Sequence, residues 1–111
     1  MTRDRRSDER DEEALALYLR ETSRKSPLPP QVEADLLAAG RAGDPEALRA
    51  VIESHLLRAA QLAIESAPLT IDRFDAIQLA NTALIALVED DDVAIPGQRL
   101  ETTVRELWNQ A

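Results

Sequence analysis

The stretch Phe74–Asp92, FDAIQLANTALIALVEDDD, decides how this chain is built. Ile77, Ala80, Leu84, Leu87 and Val88 recur three and four residues apart, which lines them along one side of a helix and predicts that side as core. A second face, centred roughly 130° away at 3.6 residues per turn, carries Asp75, Gln78, Asn81, Thr82, Ile85 and Glu89. A helix that only fills a core has no use for such a stripe. An acid, two amides and one aliphatic side chain on a single strip suit a partner helix with basic residues. The competing reading is an ordinary solvated face with Asp75 as a capping residue.

Upstream, Asp72 is placed to cap this helix, with Asp75 three residues on in an approximate capping-box position. Pro68 ends the preceding helix. That helix opens at GDPEAL, where Asp44 is a good N-cap and Pro45 a good first residue, and runs to about Ser66. Its stripe is Leu48, Val51, Ile52, Leu56, Ala59, Leu62 and Ala63. Before it, Pro30 opens a helix with Val32, Leu36 and Leu37 on one side, closed by Gly40 and Gly43. The segment SRKSPLPP is a connector, and Ala14–Glu21 is a helix with Leu15, Tyr18 and Leu19 facing inward. Residues 1–13 are almost wholly charged and are expected to form a disordered tail, leaving 14–111 as one domain. Downstream, VAIPGQ breaks the pattern and LETTVRELWNQ is a final short helix containing Trp108. The expected fold is all-α, a compact bundle of about five helices. Leu48, Ile52, Leu56, Leu62, Phe74, Ile77, Leu84 and Val88 are expected in its core.

Composition narrows the function. The 111 residues suffice for one modest core, and the absence of cysteine excludes a disulfide framework or a thiol nucleophile. No apolar run approaches the roughly 18 residues of a membrane span, and the charged N-terminus lacks the apolar centre of a secretory signal, so a cytoplasmic location is expected. The formal net charge is −8, and residues 74–111 hold seven acids against two arginines, Arg99 and Arg105. Autonomous DNA binding is disfavoured, because phosphate contacts from a basic face supply most of its affinity. His55 is the single histidine and is read as structural. The run Glu89–Asp92 lacks the glycine and alternate spacing of a calcium loop. No enzyme activity, metal or cofactor is expected.

The order of these elements resembles the sigma-70 family of bacterial transcription initiation factors. The likeness begins at YLRE (Tyr18–Glu21) and continues through AGDPEALRAVIESHLLRAAQLA. It is closest in FDAIQLANTALIALVE and ends in PGQRLETTVRELWNQA. Individual motifs are degenerate; their order and near-gapless spacing carry the likeness.

The resemblance implies that Phe74–Glu89 docks on the coiled coil of the clamp in the largest subunit of core RNA polymerase. It implies that Asp75, Gln78, Asn81 and Ile85 make the contact. Leu79 departs from the acid common in the family. The promoter-melting segment departs further, with Leu100, Thr103, Glu106 and Leu107 where the family uses aromatics to hold unpaired bases. Trp108 falls on a position that is aliphatic in the family, so a core role is expected for it. The resemblance implies that residues 1–111 stop where the promoter-reading helix of the family begins, and a chain without the family's helix-turn-helix domain is the expectation.

Three functions follow as expectations. The first is a non-enzymatic regulator that occupies the sigma docking site. The second is one half of a split initiation factor whose partner chain reads the promoter. The third is an interaction domain that retained the fold without polymerase binding. Under the first reading, titration of the chain with duplex or single-stranded promoter DNA at physiological salt should give no measurable binding. Submicromolar affinity would contradict the charge argument.

Overall fold

The computed structural model describes residues 5–25 and 27–109, with side chains from Glu9 onward. Among the described residues the chain is all-helical, with five helices. These are α1 (Arg5–Ser23), α2 (Pro30–Arg41), α3 (Pro45–Ser66), α4 (Arg73–Glu89) and α5 (Pro96–Leu107). No described helix is long and apolar enough to cross a membrane.

The starts of the helices follow from local chemistry. Asp44 caps α3 by accepting from the backbone N–H of Glu46 (3.1 Å) and Ala47 (3.4 Å), with Pro45 at the first helical position. Asp72 caps α4 in the same way, accepting from Phe74 N (2.9 Å) and Asp75 N (3.4 Å). Pro30 and Pro96 open α2 and α5, where a missing N–H costs nothing because it would have no helical partner.

The longest helix, α3, is the centre of the bundle, and each of the other four packs against it. Its core face is largely small: Ala59, Ala60 and Ala63 are fully buried beside Val51 and Leu62. The α4 face that meets it is similar, with Ala76, Ala80 and Ala83 among Ile77, Leu84, Leu87 and Val88. Alanines let the two helices approach closely, and the branched side chains fill the remaining space. Val93, Leu100 and Val104 close the core from the α5 side. Of the residues expected in the core, Leu62, Ile77, Leu84 and Val88 are buried, whereas Leu48, Ile52, Leu56 and Phe74 are half-buried and packed on its edge.

Several further sequence-based expectations need correction. The stretch 1–13 was expected to be disordered; α1 begins at Arg5, so residues 5–13 are helical, and residues 1–4 lie outside the described residues. Leu15, Tyr18 and Leu19 anchor α1 on the core. Extending an anchored helix needs no new nucleus, and the Arg and Glu residues of this stretch are good helix formers. The last helix starts at Pro96 rather than Leu100 and leaves Trp108 at its C-cap.

In α2, Val32 is 43 % exposed; the inward positions are Glu33, Leu36, Leu37 and Gly40. Periodicity skipped Glu33 because it is charged. Its carboxylate is turned inward to meet His55 of α3 at 2.5 Å, with the two side chains 12 % and 18 % exposed. His55 thus ties α2 to α3, a structural role.

Gly40 lies inside α2 rather than at its end, and Gly43, with φ of 124°, makes the turn. A Cβ on Gly40 would sit 2.4 Å from Leu48 Cγ and 3.0 Å from Leu48 N. Gly40→Ala is expected to lower the stability by about 1–3 kcal/mol through overpacking, despite the better helix propensity of alanine. A urea denaturation midpoint at or above that of the parent would show that α2 and α3 can separate without cost.

Candidate partner-binding face on the fourth helix

Packing of α4 on α3 leaves one side of α4 in water. Asp75, Gln78, Leu79, Thr82, Ile85, Ala86 and Glu89 are exposed, an arc of roughly 120° at 3.6 residues per turn. Asp75, Gln78, Thr82 and Ile85 lie along this arc for about 15 Å, at 1.5 Å per residue. Four of the five sequence-predicted site residues therefore share one open strip. Asp72 supplies the N-cap; Asp75 contributes its backbone N–H there and its side chain stays exposed. The Thr82 hydroxyl donates to Gln78 O of its own helix at 3.0 Å, which leaves its methyl to the surface.

The fifth residue, Asn81, sits at the edge of the strip and is half-buried. Its Nδ2 donates to the Tyr18 hydroxyl of α1 at 3.1 Å, while its Oδ1 is buried and has no hydrogen bond among the described residues. In the sequence Asn81 is indistinguishable from Gln78, because the helical period says nothing about where α1 lies. Only the docking of α1 beside α4 separates them. Conversely, Leu79 belongs to the open strip at 46 % exposure, next to Ile85 at 39 %. The exposed face is thus more apolar than the sequence-predicted stripe.

The acidic run at the end of α4 has a partner that the sequence pattern did not reveal. Arg41, from the last turn of α2, donates to Val88 O (3.0 Å), Leu87 O (3.4 Å) and Val93 O (2.7 Å). Its guanidinium also lies 3.9 Å from Asp91. A cation at the C-terminal carbonyls offsets the helix dipole and satisfies acceptors that have no partner within the helix. Asp90 folds the next turn by accepting from Asp92 N at 2.9 Å. The carboxylates of Glu89 to Asp92 nevertheless remain exposed, so both ends of the strip are acidic. Among the described residues no group of three or more His, Asp or Glu is arranged to hold a metal ion.

On α5, the segment expected from the resemblance to be a promoter-melting helix, Arg99 is exposed. Leu100 is buried, and Arg105 is held by Glu101 at 3.1 Å on its outer side. The Trp108 ring packs against the core edge, and its indole N–H donates to Ser66 Oγ at 2.8 Å. That hydroxyl donates in turn to Leu62 O at 2.5 Å. The single tryptophan ties the end of α5 to the end of α3.

No family model, curated protein or solved structure matches the chain.

The Tyr18 hydroxyl is the one hydrogen-bond partner of the Asn81 side chain among the described residues. Tyr18→Phe is expected to cost about 1–3 kcal/mol, the penalty of leaving a half-buried amide unpaired. Chemical denaturation measures it; an unchanged midpoint would mean that water replaces the phenol without loss.

Proposed function

We propose that this chain is a non-enzymatic, sigma-70-like transcription regulator that occupies the sigma docking site on core RNA polymerase. The open face of α4 meets the clamp coiled coil of the largest subunit, and the chain reads no promoter by itself. The observation that carries this reading is the exposed strip of Asp75, Gln78, Thr82 and Ile85 on a helix whose opposite side is wholly buried.

The chemistry of the strip supports the reading. Asp75 can pair with a cation on the partner, Gln78 can bond at the rim, and Leu79 and Ile85 supply apolar area that water leaves on contact. The acids at both ends of the strip favour a basic partner and steer its approach. The same acids, the absence of an exposed aromatic on α5 and the net charge of −8 weigh against direct DNA binding. Asn81 takes part at the margin, through the seam with α1.

Asp75→Lys replaces attraction with repulsion and strands the partner cation, an expected loss of about 2–5 kcal/mol if the pair is desolvated, or roughly 30-fold or more in affinity. The fold is expected to survive, because Asp75 is exposed and the cap is made by Asp72. Competition with the housekeeping sigma factor for core polymerase, paired with a thermal melt, is the measurement. A folded variant that competes as well as the parent would remove this face as the docking surface.

A further inference from the structure

The open strip of α4 has an internal order. At 3.6 residues per turn, Thr82, Ala86 and Glu89 fall within about 40° of Asp75 around the helix, so these four exposed residues form its midline. Leu79 stands on one flank, about 40° from Asp75, and Ile85 on the other, about 80° away. Between these aliphatic flanks the midline is small. Ala86 has only a methyl group, and Thr82 turns its hydroxyl to Gln78 O. The middle of the strip is therefore a shallow apolar seat.

The ends of the midline are charged. Asp75 and Glu89 lie about four turns apart, roughly 21 Å at 1.5 Å per residue. Among the described residues neither carboxylate has a hydrogen bond or an ion pair; only the backbone N–H of Asp75 is engaged, by Asp72.

These features select the occupant. The backbone of α4 is hydrogen-bonded within the helix, so an added strand would find no main-chain groups to pair with, and recognition falls to side chains. A straight strip of this length is followed from end to end by another helix at a shallow crossing of about 20°, whereas a steep crossing leaves one or both ends uncovered. A second copy of the same strip would set carboxylate against carboxylate in either direction, which counts against it.

We infer that the occupant is a single polymerase helix lying along α4 at a shallow crossing. It places one apolar side chain over Thr82 and Ala86, between Leu79 and Ile85. It carries lysine or arginine to either side, roughly 20 Å apart, facing Asp75 and Glu89. The small midline residues let the two axes approach, which makes Ala86 and Glu89 determinants of fit. This inference rests on the docking reading given above.

The test measures the affinity of the full chain for core polymerase at low ionic strength, where exposed charges count most, with thermal melts to confirm folding. Ala86→Gln fills the seat with an uncharged side chain that helices tolerate. Glu89→Gln removes the C-terminal charge. Glu65→Gln removes an exposed acid from α3 and measures the effect of net charge alone. Asp75→Lys reports on the face as a whole. The inference expects Ala86→Gln to bind at least fivefold more weakly than the parent, and Glu89→Gln at least threefold more weakly than Glu65→Gln. If either variant falls short while Asp75→Lys is weakened, the full-length helix pairing is overturned and docking on α4 stands. If the parent does not bind core polymerase, or Asp75→Lys binds as well as the parent, the inference and the docking reading fall together. A dimer of the parent in sedimentation that Ala86→Gln dissociates would assign the seat to a second copy and overturn the inference.

Discussion

Everything in this fold depends on the close approach of α3 and α4. Ala59, Ala60 and Ala63 on one helix and Ala76, Ala80 and Ala83 on the other remove the side-chain bulk that would hold the axes apart. Leu62, Leu84 and Val88 then fill the space to either side and are fully excluded from water. Close-packed pairs of this kind have little freedom to rotate, because any rotation would drive a branched side chain into a backbone. That rigidity settles which side of α4 remains exposed. With α3 fixed, α2, α5 and α1 each find a groove on it, and none covers the Asp75–Ile85 side.

The seams between helices are pinned by polar groups, and this accounts for most of the chain's less expected residues. Arg41 holds α2 to the end of α4 through three backbone carbonyls. The Glu33–His55 pair holds α2 to α3, Trp108 and Ser66 hold α5 to α3, and Tyr18 and Asn81 hold α1 to α4. Each pin is partly shielded from water. Loss of one partner would leave a polar group with poor solvation, a larger penalty than the net contribution of the bond itself. The pins therefore specify which helix meets which, while the apolar contacts supply most of the stability.

The same arrangement bears on function. The one tryptophan, the one histidine and the one tyrosine are all engaged in these seams. What remains on the open strip of α4 is acidic, aliphatic or uncharged and polar, a surface better suited to a basic protein partner than to phosphate. The exposed Leu79 and Ile85 lie on this strip.

The helices and their inward faces were legible in the sequence, because capping residues and the 3.6-residue period are local and act within one element. Asp44 and Asp72 as caps, Pro45 as a first residue, and the buried side of α4 all belong to this class. The open strip was legible for Asp75, Gln78, Thr82 and Ile85 for the same reason. Tertiary structure alone decided the remainder, since it turns on what a neighbouring helix brings. Glu33 faces inward only because His55 waits there, and Arg41 reaches the end of α4 only because α2 ends beside it. Gly40 sits within α2 where Leu48 leaves no room for a Cβ. Asn81 turns to Tyr18 while Leu79 stays in the open strip because α1 lies on one edge of α4 and not on the other. A helical period assigns a residue to a face; only the packed neighbours determine whether that face meets water, a partner or another helix.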